Sequence, residues 1–398
     1  MRRSGILLTL TVILLLLSAG NVSAQWENVS DGIGNRPVYS LYNNSSHIYA
    51  GSANHAIYLS SNNGTNWGPA GLNYFNITYA MTEFGGYLYA ATELGVWRTS
   101  NNGANWIVTS LNNTTMYSLA SNTSRVFVGS HNSGLYYSSG GQGWFISSLS
   151  ATSIKSLVIN GEFIAAGCGN SAGVYISTNN GANWSQTALN NKSVYSMAMT
   201  GNNIFAGTGS GVYRSTDLGT TWVQTSLNNE LVYSLAVSGS SVFAGTELHG
   251  VFVSENNGTT WVQKNEGLLD LTIHSLRIVN NFLFAGASAN AVYRRPLGTL
   301  VNVLSQSGQI PEKSSLSQNY PNPFNPATKI AFSITGHENV RLSIYNSAGQ
   351  MVAVLVNDNF GPGNYEVKWD ASGYSSGVYF CSIITPSFVE TKRMLLVK

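Results

Sequence analysis

Residues 215–222 read STDLGTTW, and near-copies of this stretch recur along the chain. Each copy ends in a tryptophan, and successive tryptophans are separated by 39, 38, 40, 38 and 39 residues. A fixed period of this length indicates a propeller or a solenoid. The copy that ends at Trp144 reads SSGGQGW and has lost one residue. The six tryptophans are Trp67, Trp106, Trp144, Trp184, Trp222 and Trp261.

The residues between these turns predict four strands in each repeat. Runs rich in β-branched and aromatic residues are seen as GVYRS at 211–215, VYSLA at 232–236 and VFAG at 242–245, and a shorter run follows each tryptophan. Gly and Asn turns separate the runs, which favours antiparallel hairpins. Four such strands per repeat, without helical periodicity, are typical of a β-propeller blade. We therefore expect an all-β chain that contains a β-propeller.

The first strand of the repeat occurs seven times, whereas the tryptophan turn occurs six times. The seventh repeat stops at Arg295 without a turn, while WENVS at residues 26–30 belongs to no repeat of its own. We therefore expect a seven-bladed propeller over residues 25–300, closed by an N-terminal strand that would cover the open sheet edges. One large side chain marks each first strand, and it would either line a central channel or pack in the core. These side chains are Tyr39, Tyr79, Tyr117, Lys155, Tyr195, Tyr233 and His274.

The turn pattern S/T-x-D/N-x-G-x-x-W resembles the Asp-box, or BNR repeat, of sialidases, sortilins, some endoglucanases and Ycf48-like photosystem-assembly propellers. Its residues suit a folding role: the Asp or Asn oxygen accepts backbone N–H bonds, glycine permits unusual backbone angles, and tryptophan buries apolar surface. Four copies have asparagine in place of Asp217, and an amide cannot exchange a proton in catalysis. The structural residues predicted in this way are Asn62, Gly64, Trp67, Asn101, Gly103, Trp106, Asn179, Gly181, Trp184, Asp217, Gly219, Trp222, Asn256, Gly258 and Trp261.

The resemblance implies that these turns join the third and fourth strands, on the face opposite the usual ligand site. The loops of the other face differ most between repeats. Their aromatic, basic and acidic residues would suit a glycan or peptide ligand, although loop tips also vary without any function. The candidate ligand-binding residues are Tyr74, Phe75, Glu93, His131, Glu230, Glu247 and His249, with His55 and Lys192 in the same loops.

No catalytic residue is predicted, and we expect a non-enzymatic binding or scaffold protein. Arg98, Arg214 and Arg294 belong to separate blades on the turn side, so they do not form the arginine triad of a sialidase. The alternative is a sialidase-like or endoglucanase-like glycoside hydrolase, which a convergent pair among Glu93, Glu230 and Glu247 would favour. The six histidines lack metal-ligand spacing, and no cofactor is predicted.

Residues 1–24 have the layout of a secretory signal peptide, with cleavage expected near Ala24. Its apolar run, Ile6–Leu17, is 12 residues long, short of the roughly 20 that span a bilayer. No transmembrane segment is therefore expected in the mature chain. Without Arg2 and Arg3, 17 basic side chains face 17 acidic ones, which argues against a nucleic-acid partner.

The composition changes after the repeats. Four of the nine prolines lie between Pro311 and Pro326, and residues 301–314 are expected to form a linker. From Thr328 onward, six or seven short strand-like runs predict a small immunoglobulin-like β-sandwich. The strings LSQNYPNPFNPATKIAFSI, VRLSIYNSAGQMVAVLV and YEVKWDASGYSSGVYFCSI resemble, in this order, the type A sorting domain of the type IX secretion system, which would cover residues 315–398.

This resemblance implies that the translocon of the type IX secretion system recognises residues 315–398. The protein would then be secreted or held on the outer-membrane surface. A glycan, a peptide or a surface protein is the expected ligand. A further alternative is an assembly scaffold similar to the photosystem-assembly propellers.

Overall fold

The computed structural model describes most of the chain that follows residue 24. The predicted signal peptide lies outside the described residues, as do the candidate site residues Tyr74, Phe75 and His55. The described residues are 25–53, 57–71, 77–150, 153–300, 303–306, 311, 313–336, 338–360 and 363–398.

The described residues form an almost entirely β structure with a single four-residue helix, α1 (Leu297–Leu300). They contain nine four-stranded antiparallel sheets, seven of which are formed by residues 27–296. The strand nearest the N-terminus is β1 (Glu27–Asn28). The first three sheets comprise β2 (Val38–Asn43), β3 (Ile48–Ser52), β4 (Ile57–Ser60) and β5 (Gly68–Pro69); β6 (Thr78–Phe84), β7 (Tyr87–Thr92), β8 (Gly95–Thr99) and β9 (Ile107–Asn112); and β10 (Met116–Ser121), β11 (Val126–Ser130), β12 (Leu135–Ser138) and β13 (Phe145–Ile146).

Sheets four to seven repeat the same arrangement, in which strands that follow each other in the chain are paired. The fourth and fifth sheets comprise β14 (Ile154–Asn160), β15 (Phe163–Cys168), β16 (Gly173–Ser177) and β17 (Ser185–Gln186); and β18 (Val194–Thr200), β19 (Asn203–Thr208), β20 (Gly211–Ser215) and β21 (Val223–Gln224). The sixth and seventh comprise β22 (Val232–Ser238), β23 (Ser241–Thr246), β24 (Val251–Ser254) and β25 (Val262–Gln263); and β26 (Ile273–Val279), β27 (Phe282–Ala287) and β28 (Val292–Pro296), with β1 as the fourth strand.

The first strand of each sheet lies innermost, where it packs against the first strands of both neighbouring sheets. The inner strands of the seventh and first sheets, β26 and β2, are also in contact, so the seven sheets form a closed ring. In six of the seven sheets a glycine in the second strand permits this close approach, and β7 has Ala91 at the same place. A Cβ added at Gly51 would lie 2.8 Å from Thr78 Cβ of the next sheet, and one added at Gly245 would lie 2.7 Å from Ile273 Cγ2.

The ring is closed by the N-terminal segment, as the sequence predicts for the missing strand. Strand β1 pairs with β28 in antiparallel register, with Glu27 opposite Arg294. The side chain of Trp26 is 2% exposed, and its indole Nε1 donates a 2.7 Å hydrogen bond to the Lys264 carbonyl. Val29 is buried against the first sheet. The six residues that begin the described chain therefore connect the seventh sheet to the first.

Five of the six tryptophan turns share one hydrogen-bond pattern, seen in the stretch that ends at Trp222, whereas the turn that ends at Trp144 lacks the Asp or Asn. The Ser215 hydroxyl donates to Asp217 Oδ1 at 2.7 Å and accepts a bond from the Gly219 N–H at 2.8 Å. The Thr221 N–H donates to Asp217 Oδ1 at 2.9 Å. Each turn follows the third strand of its sheet, at the end of the sheet opposite the start of the inner strand. Asp217 thus closes a turn and faces away from that end.

An asparagine at position 217 should support the same turn. Asn256 holds the equivalent place in the next sheet, where its amide donates to Thr260 Oγ1 at 2.9 Å and its Oδ1 accepts the Thr260 N–H at 2.9 Å. Asp217→Asn is therefore expected to leave the urea midpoint of unfolding almost unchanged at pH 7. A large loss at pH 7 would contradict this role.

The two residues should differ in acid. Hydrogen bonds from Thr221 and Ser215 lower the pKa of Asp217 to about 2, below that of an unfolded aspartate. The carboxylate therefore contributes stability above about pH 4, and this contribution is lost as the pH falls toward 2. The expected result is that the wild-type urea midpoint falls relative to that of Asp217→Asn between pH 4 and pH 2.

The C-terminal residues form two further four-stranded sheets with a buried core of their own. The first contains β29 (Val303–Gln306), β30 (Ser315–Leu316), β31 (Ala327–Ile334) and β34 (Gly363–Asp370); the second contains β32 (Glu338–Asn346), β33 (Met351–Phe360), β35 (Gly377–Ile384) and β36 (Val389–Leu396). Their shared core includes Phe332, Leu342 and Trp369. Strand β29 falls within the segment that the sequence predicts to be a linker, yet it pairs with β34.

Candidate ligand-binding ring

All seven inner strands carry a β-bulge at the same place, between their first and third residues. In β2, for example, Val38 pairs with Ser52 and Ser40 pairs with Gly51, which leaves Tyr39 outside the ladder. A bulge turns a side chain away from the regular alternation of the strand. The seven bulged residues, which we call the inner ring, are Tyr39, Tyr79, Tyr117, Lys155, Tyr195, Tyr233 and His274.

The inner ring is half-buried rather than packed in the core, since all seven side chains keep partial exposure. Successive members contact each other across the sheets. The ring-centroid distances are 6.1 Å for Tyr39–Tyr79, 4.9 Å for Tyr79–Tyr117, 6.0 Å for Tyr195–Tyr233, 5.4 Å for Tyr233–His274 and 4.6 Å for His274–Tyr39, and Lys155 Nζ lies 3.3 Å from the Tyr117 centroid. Of the two possibilities that the sequence leaves open, this geometry favours side chains that line a central space.

A second tier of residues lies beside the inner ring, at the first position after each second strand. This position follows the ring residue by 14 in every sheet. In six sheets its N–H donates to the carbonyl two residues before the ring residue, which fixes the loop over the bulge. These residues, which we call the rim positions, are Ala53, Glu93, His131, Gly169, Gly209, Glu247 and Ser288. The constant spacing of 14 is present in the sequence and would have identified the tier.

The polar rim residues contact the inner ring directly. Glu247 Oε1 accepts a 3.0 Å hydrogen bond from the Tyr233 hydroxyl, and His274 Nε2 lies 2.8 Å from Ser288 Oγ. In two other sheets, the Tyr79 hydroxyl lies 3.5 Å from Glu93 Oε1, and the ring of His131 meets that of Tyr117 edge-on at 5.3 Å. Three of the predicted ligand-binding residues, Glu93, His131 and Glu247, are thus brought together around one central space.

Burial determines the protonation of the inner ring. It raises the pKa of Tyr79 and Tyr117, and together with the hydrogen bond to Glu247 it raises the pKa of Tyr233 to about 12. Burial also lowers the pKa of His274, which favours the neutral imidazole, and lowers the pKa of Lys155 to about 8. At neutral pH the ring therefore presents phenol hydroxyls, a neutral imidazole and one ammonium group.

The other predicted site residues lie apart from the ring contacts. Glu230 Oε2 lies 2.7 Å from His249 Nδ1, and the histidine side chain is 58% exposed. Lys192 Nζ lies 5.9 Å from the ring centroid of Tyr213, a third-strand residue. These residues form a separate polar surface in the same set of loops.

Two of the three arginines considered for a sialidase triad, Arg214 and Arg294, connect neighbouring sheets. Arg214 Nη1 donates to the Asn257 carbonyl at 2.7 Å, and Arg294 Nη1 donates to the Asn63 carbonyl at 2.5 Å. Both acceptors belong to tryptophan turns of the following sheet. Arg98 is buried, with its guanidinium carbon 4.3 Å above the Tyr87 ring. None of the three contacts the inner ring.

A shallow pocket of about 470 Å³ lies at the other end of the inner strands, where Glu83 and Asn122 line it. Its polar groups are already paired: Glu83 Oε1 accepts from Asn44 at 2.8 Å, and Asn122 Nδ2 lies 2.8 Å from Asn180 Oδ1. Within the described ranges, no three of the His, Cys, Asp and Glu residues are grouped to hold a metal ion.

Comparison with known families divides the chain in the same way as the fold. Residues 143–275 match the family model of the DUF6242 beta propeller domain, and residues 318–398 match that of the secretion system C-terminal sorting domain. No curated protein matches the sequence. The fold and these matches define a β-propeller protein. Its C-terminal part is a sorting domain of the type IX secretion system, consistent with a secreted or cell-surface protein.

Solved structures support the propeller fold. PorZ, a surface component of the type IX secretion system of Porphyromonas gingivalis, is 16% identical with a TM-score of 0.53, over 92% of this chain and 60% of PorZ. Ycf48 bound to D1 peptide is 12% identical with a TM-score of 0.55, over 67% of this chain and 94% of Ycf48. An ancestral GH74 enzyme is 15% identical with a TM-score of 0.55, over 94% of this chain and 63% of the enzyme. At these identities the likeness concerns the fold alone.

The part of the chain that the structure describes contains no helix with the length and apolar character needed to cross a membrane.

Proposed function

We propose that this protein is a non-enzymatic, carbohydrate-binding propeller of seven blades, exported by the type IX secretion system. The observation that carries the proposal is the inner ring of half-exposed aromatic side chains with polar rim residues beside it. In the same proposal, residues 1–24 are a signal peptide, the tryptophan turns are Asp-boxes, and the C-terminal sandwich is immunoglobulin-like.

The composition of the ring suits a sugar. Aromatic faces pack against the apolar face of a pyranose, while a few fixed polar groups orient its hydroxyls. The inner ring supplies five tyrosines and one histidine, and the carboxylates of Glu93 and Glu247 stand beside it as acceptors.

A hydrolase is the second candidate function, because two of the rim residues are carboxylates and an ancestral GH74 enzyme shares the fold. A glycoside hydrolase needs a paired acid and base, or acid and nucleophile, about the scissile bond. Glu93, Glu230 and Glu247 have different partners: Tyr79, His249 and Tyr233. In the described residues no hydrogen bond joins two of these carboxylates. Product analysis of a bound polysaccharide therefore decides between binding and turnover.

The test is a carbohydrate and peptide binding screen of residues 25–398, with product analysis of every polysaccharide that binds. We expect at least one glycan to bind without release of shorter products. Shortening of the glycan would replace the binding proposal with the hydrolase. Binding of peptides alone would contradict the carbohydrate assignment.

Tyr233→Ala is expected to weaken binding of that glycan at least tenfold. The substitution removes one face of the ring and leaves Glu247 without its phenol donor. The measurement is the dissociation constant by calorimetry. Phe145→Ala is the matched control, because this aromatic residue is 60% exposed on the outer strand β13 and should not affect binding. Equal affinities for Tyr233→Ala and wild type would remove the ring from the site.

A further inference from the structure

The inner ring has one gap, between Lys155 and Tyr195. Every other pair of successive members is in ring–ring or cation–ring contact, but no such contact joins these two among the described residues. Lys155 instead points its ammonium toward the opposite neighbour, Tyr117. The gap therefore lies between the fourth and fifth sheets.

The rim positions above this gap are the two glycines of the tier. A Cβ added at Gly169 would lie 3.4 Å from Lys155 Cε and 3.4 Å from Ser153 Oγ, and one added at Gly209 would lie 3.9 Å from Tyr195 Cε2. Larger rim side chains would occupy this space, as Glu247 does beside Tyr233. The glycines thus leave Lys155 and Tyr195 uncovered where other sheets cover their ring residue.

Two donors at the gap lack acceptors. Lys155 is half-buried and has no hydrogen bond or ion pair within the described ranges, and its ammonium lies against the face of the Tyr117 ring. Ser153 is 1% exposed and its hydroxyl has no partner. The residues at the equivalent place in two other sheets are satisfied, since Thr115 Oγ1 donates to the Glu93 carbonyl and Thr272 Oγ1 donates to that of Glu247. Buried polar groups normally have partners, so the Ser153 hydroxyl has a free donor at this place.

We propose that the gap between Lys155 and Tyr195 is a subsite for the carboxylate of an acidic sugar. The Lys155 ammonium would turn from the Tyr117 ring into the gap to pair with the carboxylate. Ser153 would supply a hydroxyl donor, and Tyr195 would contact the sugar ring. The subsite rests on the proposed carbohydrate-binding function and specifies the class of sugar. Without a bound anion, burial lowers the pKa of Lys155 to about 8, and a carboxylate beside it would reverse this shift.

A carboxylate suits the gap better than a phosphate. The inner ring holds a single cation, and the carboxylates of Glu93 and Glu247 belong to the same tier around it. One ammonium balances one negative charge, whereas a phosphate dianion would leave a net negative charge in a half-buried place.

The test uses one oligosaccharide in two forms, oligogalacturonate with free carboxylates and its methyl ester. Wild-type protein, residues 25–398, is expected to bind the free acid at least tenfold more tightly than the ester. Lys155→Met should abolish this preference, and Lys155→Arg should keep most of it. Gly169→Leu, which fills the gap without removing the charge, should weaken binding of the free acid. The melting temperature of Lys155→Met serves as the folding control, because methionine keeps the apolar stem and loses only the contact of the ammonium with the Tyr117 ring.

The subsite would be wrong if the wild type bound the acid and the ester equally, or bound neither. It would also be wrong if Lys155→Met kept the preference for the acid, or if the wild type bound inorganic phosphate more tightly than galacturonate. If the protein bound a neutral glycan and this binding required Tyr233, the proposed function would stand without the subsite. If the wild-type protein bound neither a neutral glycan nor the free acid, both proposals would be wrong.

Discussion

Deletion of residues 25–30 is expected to lower the melting temperature of the propeller sharply. The deletion removes β1, exposes the outer edge of β28 and empties the place filled by Trp26. Loss of a buried tryptophan side chain alone costs about 3–5 kcal/mol. In a domain of this size, that loss corresponds to a fall of roughly 10 °C. The exposed edge of β28 should also promote association between molecules, because its backbone groups lose their partners.

The measurement is thermal unfolding by calorimetry, with light scattering to detect association. Glu27→Ala is the matched control: it keeps the strand pairing and removes only an ion pair with Arg294 in which the glutamate is 59% exposed. Exposed pairs of this kind contribute at most about 1 kcal/mol. If the truncated protein had the same melting temperature as the full chain, the stability of the ring would not depend on this strand.

Ending the chain after Leu300 is expected to abolish export and to leave the propeller folded. The C-terminal sheets have a separate core built around residues such as Phe332 and Trp369. Removal of these sheets therefore leaves the buried side chains of the propeller core in place. The cut belongs before Val303, because β29 pairs with β34 and a cut at residue 314 would leave an unpaired strand on the propeller.

This prediction is measured by immunoblotting of periplasm, cell surface and medium in a bacterium with a type IX secretion system. The full chain should reach the surface or the medium, whereas the truncated chain should stay in the periplasm at a similar total amount. Tyr320→Ala, which changes a 79% exposed residue of the sorting domain, serves as the folded control. Truncated protein in the medium at the wild-type level would contradict a sorting role for residues 315–398.

Much of the fold could be predicted from the sequence, because the repeats within the chain can be compared with one another. The tryptophan period located the turns, and the lone WENVS segment indicated a closing strand that pairs with β28. Local strand patterns could not reveal β29, since Val303–Gln306 lie in a composition typical of a linker and depend on a partner about 60 residues away. Tertiary context decides such short strands.

The candidate site was only partly accessible for a related reason. Glu93, His131 and Glu247 were predicted because they are polar and because the residue at their loop position differs from repeat to repeat. Lys155 was visible only as one large residue among the first strands. Its contact with the Tyr117 ring and the space beside Gly169 depend on distances between sheets, which a single sequence does not contain.

The pairing of β1 with β28 also imposes an order on synthesis and folding. Glu27 and Arg294 are 267 residues apart, so β1 has no partner until the last sheet of the ring has been synthesised. Contacts of such separation form late, because a long loop has to close first. A chain that stops before Pro296 therefore lacks the complete strand that pairs with β1, and the N-terminal strand has no partner in such a chain.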